Sequence, residues 1–189
     1  MKRRALLLLL SASMAVPMLA FQGGCGGPAY VVDGEGPTYL MTNLHADARR
    51  RLTSLNYSSP RGGTLLPICT PVTLERIRGR VITFRADTTG LRYQYIVTRH
   101  SRAPVEEHVQ RYFGTQCPNI GSMSPEDQAG VQNGQVYQGM TKQGVIMAIG
   151  YPPEHATPTL QGDVWKYWAT SNNRFEVYFT NGIVSGIRN

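Results

Sequence analysis

The hydrophobic pattern along the chain changes period in its last third. From Gly139 to Gly150, the apolar residues Val145, Ile146 and Ile149 recur at i, i+1 and i+4, the spacing of one buried helical face. Thr141 stands where an N-cap belongs, since its hydroxyl can accept an orphan N–H of the first turn. Met140 before that cap and Val145 after it have the separation of a hydrophobic staple. Gly150 suits a left-handed closing position, and Pro152 and Pro153 forbid continuation. A helix this short is unstable alone in water and must pack on a neighbour. The period then falls to two. Val164-Trp165-Lys166-Tyr167-Trp168 is a strand run rich in aromatics, and Thr170 to Asn173 is polar turn material. In Arg174 to Phe179, the residues Phe175, Val177 and Phe179 share one face. Asn181-Gly182 marks a tight hairpin, and Ile183 to Ile187 is the return strand. The pattern predicts a capped helix lying over a three-strand meander.

Upstream the signals are mixed. Leu40, Leu44, Ala48 and Leu52 lie about four apart, which predicts an amphipathic helix over 39–55, with His45 on its exposed side and Arg49-Arg50-Arg51 near its C-terminal end. The arginine triplet reads either as a solvated face or as an attraction for anionic head groups. After Pro60 to Gly63 come four strand-like runs: Thr64 to Ile68, Pro71 to Leu74, Arg80 to Arg85, and Leu91 to Thr98. In the last, Leu91, Tyr93, Tyr95 and Val97 alternate with polar or outward positions. Such strands suggest a small barrel or sandwich, SH3-like by analogy. Pro104 to Phe113 predicts a helix with Val105, His108, Val109 and Tyr112 on one face, closed by Gly114. Pro118 to Pro125 reads as a link, and Ser124-Pro125-Glu126-Asp127 opens a short helix reaching about Gln132. The expected class is α+β: residues 39–117 a helix plus a β-rich domain, residues 118–189 a two-helix, three-strand domain.

The N-terminus adds a compartment. Lys2-Arg3-Arg4 followed by the apolar run Ala5 to Phe21 has the build of a secretory signal peptide over residues 1–24, with a transmembrane anchor as the competing reading. Gly23-Gly24-Cys25 resembles the end of a lipoprotein signal, where the thiol receives a diacylglycerol, and cleavage after Ala20 is the alternative. Residues 25–38, rich in Gly and Pro, then read as a tether. Three cysteines are an odd number for an exported chain; if Cys25 is lipidated, Cys69 and Cys117 are left to pair in an oxidising periplasm, with two buried free thiols as the alternative. The formal charge of +7 falls to +4 once Lys2, Arg3 and Arg4 are set aside. No basic run with interleaved aromatics appears, which argues against a nucleic-acid partner. A mildly basic envelope protein has anionic head groups, lipopolysaccharide or an acidic protein as partners.

Gly139-Met140-Thr141 with Val145, Ile149-Gly150-Tyr151-Pro152, Trp165 with Tyr167, Val177 to Phe179, and Gly182-Ile183-Val184 together resemble the SmpA/OmlA, or BamE-like, family of outer-membrane lipoproteins. The likeness covers the last third of the chain. It implies two helices packed on a three-stranded antiparallel sheet. It also implies an accessory role beside the outer-membrane β-barrel assembly machinery. Similar folds also serve as inhibitors of periplasmic enzymes. In the family the domain follows its anchor closely, whereas here the β-rich segment intervenes.

Candidate chemistry is sparse. His108 neighbours Glu106 and Glu107, but Glu107 projects about 100° away around a helix, so a partly buried helix histidine is the plainer reading. His100-Ser101 and Glu154-His155 are loop dipeptides without a third partner for a hydrolase triad. No metal or cofactor motif is evident; Cys69 and Cys117 lack the spacing of a metal pair. The candidate protein-binding residues are Lys142, Trp165, Tyr167, Trp168 and Tyr178, because Trp165 and Trp168 point to opposite faces of one strand. The expectation is a non-enzymatic protein on the periplasmic face of the outer membrane, anchored through Cys25 and binding envelope proteins. An inhibitor of a periplasmic enzyme and an envelope hydrolase are the alternatives.

Overall fold

The computed structural model describes residues 37–55, 57–58, 62–168 and 173–189. The signal-like segment, Cys25 and most of the tether lie outside them, as does most of the turn expected over 170–173. The described chain is α+β. Eight strands come first: β1 (Thr38–Leu40), β2 (Leu44–Ala46), β3 (Arg51–Thr53), β4 (Thr64–Leu66), β5 (Pro71–Arg78), β6 (Val81–Ala86), β7 (Arg92–Ile96) and, after helix α1 (Val105–Tyr112), β8 (Phe113–Gly114). Helices α2 (Pro125–Asn133) and α3 (Lys142–Ile149) follow, then strands β9 (Val164–Trp168), β10 (Arg174–Thr180) and β11 (Ile183–Arg188).

Six strands form one sheet in the order β3-β7-β6-β5-β1-β8, while β2 and β4 pair separately. The alternation expected in β6 and β7 is present: Ile82, Phe84, Tyr93 and Tyr95 point inward, and Thr83, Arg85, Arg92 and Gln94 point out. The inner face, α1 and the surrounding strands close one core around Leu40, Leu52, Ile82, Phe84, Tyr95 and Phe113.

The helix expected over 39–55 is absent; β1, β2 and β3 take its place. Two local features explain this. Thr42 to Ala46 is buried without a break, so it has no solvent side for an amphipathic helix to present. Asp47 then accepts the N–H groups of both Arg49 and Arg51 at 2.9 and 2.8 Å, and Arg50 turns at φ 58, so Arg49 and Arg50 form a turn and Arg51 opens β3. His45 is therefore buried on β2, not exposed on a helix. The expected close of α1 at Gly114 is also corrected. The chain becomes extended at Phe113, and Phe113–Gly114 pairs with β1 as β8.

The last third follows its pattern. Ser124 caps α2, and Thr141 caps α3 by accepting the Gly144 N–H at 2.9 Å. Met140 and Val145 are both fully buried, in the same core. Asn181 and Gly182, at φ 53 and 80, make the two-residue turn between β10 and β11. The three strands run antiparallel in the order β11-β10-β9. Val145 and Ile149 share their core with Val177, Phe179, Trp165 and Tyr167, and Phe175 packs at its margin. The cap segment is also stitched to the sheet edge. The Gly139 N–H donates to Val184 O at 2.9 Å, Val184 N–H to Met140 O at 2.7 Å, and Lys142 N–H to Gly182 O at 3.1 Å. The outer edge of β11 is thereby covered.

Residue 118 does not separate two independent packings. Tyr57 and Ile68 of the first part lie in the core of the second. Asn43, buried between β1 and β2, donates from Nδ2 to Val131 O at 2.6 Å and to Ala148 O at 3.1 Å, and accepts the Ile68 N–H at 2.8 Å. The disulfide Cys69–Cys117 closes a sequence separation of 48, as the cysteine count led us to expect.

Candidate functional site

Strand alternation divides the aromatic candidates. Trp165 and Tyr167 face inward and are fully buried, so they are core residues and form no part of a binding surface. The helix α3 covers the side of the meander that an exposed indole would have needed. Lys142 is also committed to its own fold. Its Nζ donates to Gln161 O at 2.9 Å and stands 5.7 and 5.2 Å from the ring centres of Trp165 and Phe179. This accounts for a cation in the first turn of a helix, where the dipole disfavours it. Trp168 and Tyr178 remain half-buried on the outward face. The Arg174 guanidinium lies 5.3 Å from the Trp168 ring centre, and the centre of the His155 ring lies 5.1 Å from it. Beside Tyr178, Lys166 and Glu176 pair across the strands at 3.5 Å, and Val164 stands opposite Tyr178 itself.

A second cluster lies at the seam between the β-rich part and the helix–meander part. It is a cleft of about 10 Å³, room for a single water molecule, lined by Ser54, Ser101, His108, Arg111, Tyr151 and Glu154 among others. The loop after β7 and helix α1 bring Ser101 and His108 together, with Ser101 Oγ 2.8 Å from His108 Nε2. The Tyr95 hydroxyl meets His108 Nδ1 at 3.0 Å. Burial first, then the nearby Arg111 charge, pushes the His108 pKa down to about 4, so the ring is neutral at pH 7. Burial, followed by hydrogen bonding with Tyr95 and Tyr151, sets the adjacent Tyr112 hydroxyl, with a net rise to about 12.

Glu154 crosses the seam from the segment after Pro152-Pro153. Its Oε2 accepts the N–H groups of Arg102 and Ala103 at 3.0 and 2.8 Å, and its Oε1 accepts from Arg111 at 2.7 Å. Burial alone would raise this carboxyl; the Arg111 hydrogen bond and the two amides outweigh it and hold the pKa below its ordinary value. Arg111 also pairs with Glu107, one helical turn before it.

The two loop dipeptides that lacked a third partner in the sequence are thus neighbours in space. The rings of His100 and His155 are 5.6 Å apart, and Glu154 holds the amides that follow Ser101. Chemically, a neutral His108 against Ser101 is a proton-accepting pair, and two successive amides are the donors an oxyanion would use. As folded, those amides hold Glu154, and the third position beside His108 carries a tyrosine hydroxyl where a hydrolase triad has a carboxylate. Tyr95 and Arg111 escaped the sequence reading, and Glu154 entered it only as part of an isolated dipeptide, because no spacing rule relates residues as far apart as Glu154 and Arg111. The one available hint was the acidic residue directly after the Pro-Pro stop of α3. Among the described residues, no group of three His, Cys, Asp or Glu side chains is arranged to hold a metal ion.

No protein-family model, no curated protein and no solved structure matches the chain.

Proposed function

We propose that this protein is a lipid-anchored outer-membrane protein of the periplasmic face. Its role is to bind and support other envelope proteins, among them components of the β-barrel assembly machinery. The observation that carries the reading is the Cys69–Cys117 disulfide. A structural disulfide belongs to an oxidising compartment, and it leaves Cys25 as the odd thiol, directly behind a charged and then apolar leader. The packing of Val145 and Ile149 against Val177 and Phe179 supports the family likeness on which the assembly role rests. The outward face of the meander, with Trp168, Tyr178 and Val164, is the surface offered to partners, since an aromatic packed by a guanidinium and an imidazole is a pre-ordered anchor.

Mass spectrometry of the mature N-terminus tests the anchor: a diacylated Cys25 is expected, and an unmodified chain starting at Phe21 removes it. Pull-down from detergent-solubilised envelopes tests the role. Barrel-assembly subunits are the expected catch, and they should be lost on Trp168→Ala. Recovery of one soluble enzyme instead would mark an inhibitor. Substituting His100 and His108 together should leave the function intact in a variant that keeps its melting temperature, and its loss in that folded variant would favour a hydrolase.

A further inference from the structure

The charge of this chain is unevenly divided. Residues 37–117 hold twelve arginines, no lysine and five carboxylates, a balance of +7; residues 118–189 hold two lysines, two arginines and five carboxylates, a balance of −1. The whole basic excess of the described protein sits in the β-rich part.

Strand register then gathers much of it on one face. Outward residues of neighbouring strands form rows across the sheet: Arg76, Thr83, Gln94 and Arg51 in one, Thr73, Arg85 and Arg92 in the next, Arg78, Val81, Ile96 and Thr53 in a third. Arg85 and Arg92 are directly opposed, an arrangement that by itself weakens a sheet. Glu75, the extra residue of a bulge in β5, sits between them at 3.4 and 2.7 Å. Asp87 and Asp47 attend Arg85 and Arg51. Among the described residues no carboxylate comes within ion-pairing distance of Arg76 or Arg78, and both are exposed. The paired arginines stay wet as well: the side chains of Arg51, Arg85 and Arg92 are 47%, 40% and 72% exposed. Folding does not require five guanidinium groups here, because the inner face of the same strands carries the core.

We propose that this outward face of β3, β7, β6 and β5 is a second membrane contact that seats on anionic lipid head groups. The choice of partner rests on the anchored reading above. Thirteen residues after Cys25 the chain enters β1, which belongs to the same sheet. The face is a lattice of charges with strands about 4.8 Å apart, a broad array matched to a head-group surface and not to one ligand. It has no aromatic ring on which a nucleic-acid base would stack, and its apolar members, Val81 and Ile96, are half-buried and confined to one row. The guanidinium groups supply paired donors to phosphate oxygens.

The test uses the exported chain with Cys25→Ser, which removes the acyl group and leaves only the sheet to hold the protein. Co-sedimentation is measured with phosphatidylcholine vesicles, with and without cardiolipin, at low and high salt. Binding is expected only with cardiolipin, and it should weaken steeply as salt rises. Arg76→Gln with Arg78→Gln should lower partitioning about 25-fold, from roughly fivefold per arginine near an anionic surface. Arg188→Gln, on the other sheet, should leave it unchanged. Equal melting temperatures for the variants confirm that each is folded. Binding to phosphatidylcholine alone, no loss in the β5 variant, or tighter binding to RNA than to cardiolipin vesicles overturns the proposal. The anchor is read separately, from the mass of wild-type Cys25, so the two claims fail independently.

Discussion

Gly144 shows how one residue can be dictated by a neighbour on another helix. A Cβ there would stand 1.8 Å from Asp127 Oδ1, and Asp127 is itself buried, accepting the Thr141 N–H and hydroxyl at 2.8 and 2.9 Å. Helix propensity alone favours Ala over Gly by up to about 1 kcal/mol. The contact reverses the sign, because the carboxylate must leave both hydrogen bonds to make room. Gly144→Ala should therefore destabilise by about 2–4 kcal/mol, read from urea unfolding. A stabilised variant would mean that Asp127 moves freely. Two buried histidines give a second prediction at this scale. Burial pushes His45 down to about 4, and burial with Arg111 does the same for His108. An unfolded chain titrates both near 6.5, so below that pH it takes up protons that the fold refuses. Stability is full above about pH 6.5 and falls as pH drops toward 4, by roughly 3 kcal/mol per histidine at the lower limit. Around His108 the groups that tune this are Tyr95, Ser101, Arg80, Arg111, Tyr112 and Glu154. Denaturation midpoints between pH 7 and 4.5 check it, and His108→Gln should remove about half of the slope.

At the scale of elements, the local signals were reliable where a helix end or a hairpin settles its own geometry. The Thr141 cap, the Met140–Val145 staple and the Asn181-Gly182 turn all appear where the residues place them, because each involves groups within five positions of one another. The segment over 38–53 is the counter-example. Its apolar spacing fits a helix, but β3 pairs in parallel with β7, some forty residues later, and β1 lies between β5 and β8. Non-local pairing overrode a weak period. Asn43 is what binds this strand segment to α2 and α3. Asn43→Ala removes three hydrogen bonds and leaves the carbonyls of Val131 and Ala148 buried without that donor. A loss of about 3–4 kcal/mol is expected, with hydrogen exchange accelerated in both helices. Exchange changed only near residue 43 would show that the contact is passive.

At the scale of the molecule, two devices hold the chain together: the Cys69–Cys117 bridge closes the β-rich part on itself, and the Glu154 clamp on Arg102, Ala103 and Arg111 joins that part to the helix–meander part. Closing a loop of 48 residues is worth about 4 kcal/mol in the loop-entropy model. Cys69→Ser with Cys117→Ser should lower stability by roughly 2–5 kcal/mol, and a reducing agent should do the same to the wild type alone. Glu154→Gln should loosen the seam and cost less, since the partly exposed pair is screened by solvent. The disulfide was foreseeable from cysteine arithmetic. The clamp was not, because Glu154 and Ala103 are far apart in sequence and no motif links them.

The amino-acid sequence alone determined the α+β class, the capped helices, the alternating strands and the tight hairpin, since capping, turn chemistry and side-chain alternation act over a few residues. It also carried the cysteine count and the basic excess. Tertiary structure alone decided that Trp165 and Tyr167 are core, that residues 38–53 are strands, that Ser101, His108 and Glu154 share a seam, and that the arginines gather on one sheet face. Each of these depends on register and packing between segments tens of residues apart, where burial outweighs any local preference.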